Sequence, residues 1–416
     1  MKVLWFAVTP SLYDKNNTKH NGGGWISSLE ALVRVMPNIE LGIAFEHSDS
    51  FFRVEHEDVT YYPLNVWQSR WQRLKRKFIY NTEENQLIPV CLKVIDDFKP
   101  DIIHIFGSEW CFGLLTKYTD IPVVIHMQGS IPPYYNARFP VGYSEFDFIR
   151  YYRFNLKKTI SYFINERQFN LRAIREEKIL HGCNYYMGRT EWDKNLIQLF
   201  APNSKYFYCS EALREPFVNT NEIWKSHKSN NLILISTISN PLYKGFDLIL
   251  KTAKLLVENT DIIFEWRVFG VTDVQFYEWK AKVKSSEVNV KLMGTVSAEK
   301  IRIELLDADI FIHPSYIDNS PNSICEAQLL GLPVISTNVG GISSLITHLK
   351  TGILVPSNDP FSLTAYIKLI FYQKDLAILL GNNALKTALI RHNNNTIKTD
   401  LMNVYNTIIN YEKKTI

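Results

Sequence analysis

Two carboxylates that flank the start of a predicted helix are the residues whose spacing best suits chemistry in this chain. Ser320 is a good helix N-cap, Pro321 suits the first helical position, and Gly331 supplies the stop. The unpaired N–H groups and positive dipole end of such a helix favour an anion such as a diphosphate. Glu326 lies about 7–8 Å along this helix, whereas Asp318 precedes its cap. The two carboxylates therefore bracket a predicted anion site.

The sequence around these carboxylates resembles that of the retaining glycosyltransferases of family four. Their signature is an acidic residue, seven others and a glutamate, followed by a Gly-x-Pro-Val segment and a Gly-Gly pair. Asp318 stands eight positions before Glu326, with Asp in place of the usual first Glu. The alternative is an ordinary βαβ crossover in which Glu326 is only a surface carboxylate. The whole string in register favours the signature; its other members are Ala327, Gly331, Pro333, Val334, Gly340 and Gly341.

The order of apolar segments predicts an α/β protein, because short apolar runs alternate with longer amphipathic stretches. The resemblance implies the GT-B fold, in which two Rossmann-like domains face each other across a cleft and a C-terminal helix crosses back to the N-terminal domain. We predict an N-terminal acceptor-side domain over residues 1–215, a linker over 216–231, and a nucleotide-sugar-binding domain over 232–390. The returning helix is predicted over residues 391–416.

A glycine-rich loop, Gly22-Gly23-Gly24, follows the first predicted strand. Its glycines let the backbone approach a ligand and expose N–H groups at a helix start. A flexible surface turn would have the same composition. The resemblance implies that the loop faces the cleft, so Gly23 and Gly24 are predicted donor-binding residues.

Polar side chains also follow two neighbouring strands of the predicted N-terminal sheet. Glu109 and Trp110 come after the run Ile102–Phe106, at the end where open sheets place ligands, and are predicted acceptor-binding residues. His126 ends the next strand. A lone histidine there is more often structural, but the resemblance implies a place beside the transferred sugar and hence a catalytic role.

Lys244 and Arg189 are the predicted cations of the site. Lys244-Gly245 matches the Lys-Gly pair of the family, so Lys244 is predicted to be catalytic and donor-binding; an exposed helix-start lysine is the alternative. The arginine that usually precedes this pair is missing. A hydroxyl, backbone amides or Arg189 of the other domain could compensate, although Arg189 could also pair with Asp193, four residues later.

The resemblance implies roles for the remaining residues of the signature. Glu326 would accept hydrogen bonds from ribose hydroxyls, and Asp318 would read hydroxyls of the donor sugar as a catalytic residue. The diphosphate would contact Lys244 and the N–H groups of Asn322, Ser323 and Ile324.

One Asp-x-Asp pair, Asp307-Ala-Asp309, precedes a predicted strand at its N-terminal end. Ligands collect at the opposite end of such strands, so we interpret this pair as structural. No metal ion and no cofactor is therefore expected; the nucleotide-diphosphate sugar is a co-substrate.

Composition narrows the protein class. The net charge of +4 gives no indication of nucleic-acid binding, and five scattered cysteines indicate a reducing compartment. The apolar start of the chain fits a first strand better than a signal peptide, and no run of about eighteen apolar residues predicts a membrane-spanning helix. We predict a cytoplasmic protein.

The stretch from Val59 to Thr82 has no acidic residue. Basic residues mixed with aromatic ones suit peripheral contact with an anionic membrane, here the inner face, although a solvated helix face has the same composition. The residues concerned are Trp67, Arg70, Trp71, Arg73, Lys75, Arg76, Lys77 and Phe78.

Together these features predict a retaining glycosyltransferase of hexosyltransferase type that moves a sugar from a nucleotide-diphosphate sugar to a glycan or lipid-linked glycan. Two alternatives stay open. A sugar-nucleotide epimerase shares the GT-B architecture, and the missing arginine is compatible with a non-catalytic nucleotide-sugar-binding protein.

Overall fold

The computed structural model describes residues 1–13, 24–48, 52–67, 69–78, 82–226 and 231–415. The strands in these ranges are β1 Lys2–Phe6, β2 Glu40–Glu46, β3 Val54–His56, β4 Val59–Leu64, β5 Ile102–Phe106, β6 Val123–His126, β7 Tyr185–Gly188, β8 Lys205–Tyr208, β9 Asn231–Thr237, β10 Ile263–Phe269, β11 Val290–Gly294, β12 Ile310–His313, β13 Val334–Thr337 and β14 Ile353–Val355. The α-helices are α1 Gly24–Val33, α2 Arg70–Phe78, α3 Thr82–Phe98, α4 Ile131–Asn136, α5 Glu145–Tyr152, α6 Leu156–Leu180, α7 Glu191–Phe200, α8 Glu215–Val218, α9 Phe246–Asn259, α10 Gln275–Ala281, α11 Ala298–Asp307, α12 Asn322–Leu329, α13 Pro360–Tyr372, α14 Lys374–Arg391 and α15 Asn394–Thr415.

Internal contacts divide the chain into two units. The first comprises Met1–Tyr135, Leu156–Ala212 and His392–Ile416, and the second comprises Asn136–Asn155 and Leu213–Arg391. The assignment of 136–155 to the second unit was not anticipated from the sequence. In that unit, Phe148 of α5 stacks on Phe276 of α10 with ring centroids 4.3 Å apart, and Lys280 Nζ lies 2.6 Å from Asp147.

The sheet of the first unit has the strand order β3-β4-β2-β1-β5-β6-β7-β8. All of its pairs are parallel except β3 with β4. The chain moves outward from β1 to one side and then returns to β5 on the other. This reversal creates a topological switch point between β1 and β5, the place where open α/β sheets bind ligands.

The sheet of the second unit is entirely parallel and has the order β11-β10-β9-β12-β13-β14. This is the strand order of a Rossmann fold, and its switch point lies between β9 and β12. Strands β12 and β13 are buried along their whole lengths, as expected for strands covered by helices on both faces. The loops that leave β9 and β12 therefore meet at the carboxyl edge of the sheet.

Helix α15 belongs to the first unit, as the GT-B fold implies. Its Tyr405 hydroxyl lies 2.6 Å from Nδ1 of His104 in β5 and accepts a hydrogen bond from Nε1 of Trp5 in β1 at 3.1 Å. All three side chains are fully buried. His104 therefore helps to hold the last helix on the sheet.

Two parts of the secondary structure differ from the sequence prediction. Strands β3 and β4 were missed, because Val59–Leu64 was taken as part of the basic segment. The predicted linker is also more ordered than expected: Trp224 is buried, and its Nε1 donates to the Ala308 carbonyl at 2.6 Å. Trp224 is held by a residue that precedes β12 and is distant in sequence, and local periodicity does not report such a contact.

Candidate functional site

An ion pair stands at the switch point of the second sheet. Lys244 ends the short 3₁₀ turn Leu242–Lys244 after β9, and Asp318 lies in the loop after β12. Lys244 Nζ is 2.6 Å from Asp318 Oδ2. The structure thus brings together two of the predicted catalytic residues.

The Asp318 carboxylate is buried and receives further polar contacts. Its Oδ2 lies 3.0 Å from His313 Nε2 and accepts from the Ser315 hydroxyl at 3.3 Å, while Oδ1 accepts from the Asn319 N–H at 3.1 Å. Burial alone would raise the pKa of this carboxyl, but Lys244 and His313 hold the pKa well below its ordinary range. Asp318 is therefore a fixed anion at neutral pH.

Two glycines of the signature allow the surrounding loops to pack closely. Gly245 has φ +79°, and a Cβ added there would lie 2.1 Å from the Pro314 carbonyl oxygen. Gly340 has φ +52°, and a Cβ there would lie 1.9 Å from the Asp318 carbonyl oxygen. The next N–H, that of Gly341, donates to this same oxygen at 3.0 Å. The Lys-Gly and Gly-Gly pairs thus fix the backbone on both sides of Asp318.

Tyr316 ties the same two loops together a second time. Its N–H donates to the Tyr243 carbonyl at 2.7 Å, and its hydroxyl donates to Asp247 Oδ2 at 2.9 Å. Asp247 belongs to the first turn of α9, which Gly245 precedes. The position of Lys244 is therefore set by contacts on both sides of it in the sequence.

Helix α12 begins later than predicted. The structure places its cap at Pro321, rather than at Ser320, and its first residue at Asn322. The Ile324 N–H donates to the Pro321 carbonyl at 3.0 Å, so it is already bonded within the first turn. The predicted diphosphate contact consequently rests on Asn322 and Ser323. Gly331, with φ +75°, follows the helix as predicted.

Glu326 lies inside α12 and is 1% exposed. Arg214 donates to both of its carboxylate oxygens, from Nε to Oε1 and from Nη2 to Oε2, each at 2.7 Å. Burial raises the pKa of Glu326, and Arg214 opposes this rise. The sequence did not single out Arg214, and it belongs to no motif. The contact of Glu326 with ribose stays a prediction.

In the first unit, His126 ends β6 and is fully buried. Its ring packs against Trp25 with centroids 4.9 Å apart. Burial and, next, the charge of Arg189 lower the pKa of His126 to about 3, so its imidazole is neutral at pH 7. Its predicted catalytic role stays a prediction, but any such role would be that of a neutral hydrogen-bonding group.

Arg189 is 3% exposed and has several contacts within the first unit. Its Nη2 donates to the Gln128 carbonyl at 3.0 Å, and its guanidinium lies 5.0 Å from the Trp25 ring centre. Asp193 accepts from the Arg189 backbone N–H at 2.8 Å as part of the cap of α7. The phosphate role of Arg189 stays a prediction.

Glu109 and Trp110 lie where predicted, directly after β5. The Trp110 ring stacks with Arg172 of α6 at 5.0 Å, and burial raises the pKa of Glu109. The sequence did not identify the neighbouring Glu176, which accepts from the Ser108 hydroxyl at 2.7 Å and from the Ile131 N–H at 2.8 Å. Burial and the charge of Glu109 raise the pKa of Glu176 to about 8.

The other predicted site residues need only a short description. Gly23 lies outside the described residues, and Gly24 is the first residue of α1. Asp309 accepts from the Ile233 N–H at 2.9 Å, and Asp307 contacts Arg267 at 2.8 Å. Both aspartates stand before β12, at the edge of the sheet opposite Asp318.

Known proteins share sequence and fold with this chain. Residues 219–387 match the family described as glycosyl transferases group 1. The amylovoran biosynthesis glycosyltransferase AmsK of Erwinia amylovora is 26% identical over 184 residues, which are 42% of this chain and 44% of that protein. The match thus spans less than half the length of this relative.

Two solved structures with similar folds cover nearly the whole chain. A sucrose-phosphate synthase from Thermosynechococcus elongatus superposes with a TM-score of 0.74 at 13% identity, over 99% of this chain and 100% of its own. Anabaena HepE in complex with UDP-glucose superposes with a TM-score of 0.65 at 14% identity, over 98% and 100% of the two chains. The GT-B glycosyltransferase fold predicted from the signature is confirmed.

The close approach at Gly340 generates a test. Gly340→Ala should lower the free energy of unfolding by about 2 kcal/mol or more, because a left-handed non-glycine residue costs roughly 1–2 kcal/mol and the new Cβ also displaces the Asp318 carbonyl. Gly294→Ala is the matched control, since Gly294 has φ +68° and nothing within 4 Å of an added Cβ. Urea denaturation of both variants measures the difference. Equal losses would show that the contact with Asp318 is unimportant.

Proposed function

We propose that this chain, whose residues 219–387 match the group 1 glycosyltransferases, transfers a sugar from a nucleotide-diphosphate sugar to a glycan or lipid-linked glycan with retention at the anomeric carbon. The observation that carries the proposal is the Lys244–Asp318 pair at the switch point of the second sheet, beside the start of α12. A cation, a fixed anion and a helix N-terminus at this place suit a diphosphate with a sugar attached.

The proposed mechanism relies on charge stabilisation. Negative charge grows on the diphosphate as the bond to the sugar breaks, and the Lys244 ammonium with the N–H groups of Asn322 and Ser323 would stabilise it. Asp318 would accept hydrogen bonds from donor-sugar hydroxyls. The acceptor would attack from the side on which the diphosphate leaves, and a donor phosphate oxygen would take its proton.

Neighbouring proteins support the choice of substrates to test. HepE was solved in complex with UDP-glucose, which makes UDP-sugars the first candidates. AmsK is named for amylovoran biosynthesis, which supports a glycan acceptor. The proposal needs no metal ion, because it assigns the leaving-group charge to Lys244 and to the helix.

The deciding experiment incubates the full chain with UDP- and GDP-sugars and with soluble or lipid-linked glycan acceptors, with and without EDTA. Mass spectrometry should detect a glycosylated acceptor, and NMR should show that the new glycosidic bond has the same anomeric configuration as the donor. The rate of transfer should be the same with and without EDTA. An isomerised donor sugar would instead identify an epimerase, and donor binding without turnover would identify a binding protein. An inverted product would refute retention.

Lys244→Ala should lower kcat by about 10²–10³, the loss typical of one group that stabilises transition-state charge, while the affinity for the donor falls less. Lys254→Ala is the matched control, because Lys254 pairs with Glu258 along the exposed face of α9. Steady-state kinetics with saturating donor separate the two effects. Unchanged turnover in Lys244→Ala would remove its catalytic role.

A membrane-surface acceptor is the finer part of the proposal. The α2–α6 surface consists of the exposed side chains of α2 and of the first half of α6, two helices that pack against each other. Trp71, Leu74 and Phe78 are 75%, 46% and 47% exposed, and α6 adds an apolar stripe at Leu156, Ile160 and Phe163.

The basic residues of this surface are fewer than the sequence indicated. Arg76 contacts Glu46 and Glu83 at 2.7 Å and is neutralised, whereas Arg70, Arg73 and Lys75 are exposed. Lys157 and Lys158 lie beside the α6 stripe. Among the described residues, no helix is both long and apolar enough to span a bilayer. Exposed apolar side chains on helices that also carry exposed cations suit the surface of an anionic membrane.

Vesicle co-sedimentation should detect this attraction. The chain should bind anionic vesicles at low salt, bind less at high salt, and bind neutral vesicles weakly, because each basic residue contributes about 1 kcal/mol and salt screens it. The double substitution Trp71→Ala/Leu74→Ala should reduce binding, whereas Leu389→Ala/Ile390→Ala, at 55% and 77% exposed positions of α14, should not. Equal partitioning in all conditions would favour a soluble acceptor.

A further inference from the structure

The two carboxylates of the signature each have a cationic partner, but only one of these cations belongs to a recognised motif. Lys244, in the Lys-Gly pair, contacts Asp318. Arg214 lies after β8, directly before α8, and contacts Glu326, 112 positions later, through two parallel hydrogen bonds of 2.7 Å. Such a planar fork fixes the orientation of a carboxylate as well as its charge.

Burial makes this partner necessary for an ionised Glu326. The carboxylate sits inside α12 at 1% exposure, where an unpaired charge would be neutralised by a proton. The elements packed around α12 carry other titratable groups, namely Glu215 of α8, His313 of β12, and Lys374, Asp375, Lys386 and Arg391 of α14. Among the described residues, Arg214 is the charged side chain that acts on the pKa of Glu326.

Arg214 leaves part of the carboxylate available. A carboxylate oxygen has two lone pairs, and the guanidinium uses one on each oxygen. One acceptor position per oxygen therefore remains, which matches two adjacent hydroxyls such as those of a ribose. The pair is suited to receive a diol without giving up its internal contacts.

A purely structural role is less well supported. The segment that carries Arg214 is already anchored in the second unit by the buried side chains of Leu213, Phe217 and Trp224. The Trp224 N–H also donates to the Leu330 carbonyl, just after α12, at 2.8 Å. An arginine one-third exposed is not needed to hold this segment in place.

We propose that Arg214 is a positioning residue for donor binding, which keeps the buried Glu326 carboxylate ionised and oriented so that both of its oxygens accept hydrogen bonds from the ribose 2′- and 3′-hydroxyls. The inference rests on the nucleotide-binding part of the proposed function. It concerns the nucleoside, so it can be tested without an acceptor or a sugar.

The test measures the binding of UDP and GDP, and of their 2′-deoxy forms, to the full chain by calorimetry. Wild type should bind the ribonucleotide about tenfold or more tightly than the deoxy form, as expected for a hydrogen bond to a charged group. Arg214→Gln should lose most of this discrimination, and Arg214→Lys should recover part of it. Arg267→Gln is the matched control, because Arg267 pairs with Glu304 at 2.9 Å in the same unit.

The pH dependence separates positioning from folding. An ionised Glu326 binds ribose, so affinity is present above its pKa and lost as the pH falls through it. Removal of the Arg214 charge raises that pKa further, so in Arg214→Gln the loss should begin at a higher pH than in wild type. The diphosphate of the ligand titrates in the same way with wild type and with Arg214→Gln, so it does not affect the comparison. A scan over about pH 5–9 spans the pKa values that buried carboxyls reach.

A double substitution completes the design. If Arg214 acts through Glu326, then Arg214→Gln/Glu326→Gln should bind UDP no more weakly than Glu326→Gln alone, and its pH profile should lack the shift. Additive losses, unchanged ribose discrimination in Arg214→Gln, or tighter binding by that variant would each overturn the proposal. Failure of sugar transfer with ribose discrimination intact would refute only the catalytic function.

Discussion

Two carboxylates buried at the carboxyl edge of one parallel sheet impose the main constraint on this protein. A buried carboxylate is tolerated only when cations and hydrogen-bond donors replace the water it has lost. Asp318 obtains Lys244, His313, Ser315 and a backbone N–H, and Glu326 obtains Arg214. The tight turns at Gly245 and Gly340 allow the loops that carry Lys244 and Asp318 to pack closely.

The features that the sequence predicted well are those fixed by local rules. The Lys-Gly and Gly-Gly pairs, the helix stop at Gly331 and the alternation of strands with helices all follow from short-range backbone requirements. Arg214 could not be predicted, because its partner lies 112 positions away and no spacing rule links the two. Strands β3 and β4, at one end of the first sheet, were missed because the basic composition just after β4 outweighed its short apolar run.

The first unit shows why position alone does not assign a role. His126 ends β6, as the sequence indicated, and Arg189 directly follows β7, so both stand at strand ends where ligands collect. Burial nevertheless lowers the pKa of His126 to about 3, and the Arg189 side chain contacts Gln128 and Trp25. Trp25 of α1 packs against both side chains, and their own sequence neighbourhoods do not contain this contact. The contacts of both side chains had to be read from the fold, and their roles stay predictions.

The pairing of Lys244 with Asp318 also bears on how one lysine could serve two partners. The Lys244 ammonium and the Asp318 carboxylate neutralise each other at 2.6 Å. If Lys244 turned away, Asp318 would keep its contacts with His313, Ser315 and the Asn319 N–H. The lone pair that Lys244 leaves could then accept a hydrogen bond from a sugar hydroxyl. The flexible stem of a lysine permits such a turn, whereas the rigid fork of an arginine would not. On the proposed function, a diphosphate would therefore compete with Asp318 for Lys244, and Asp318 would keep its other three partners.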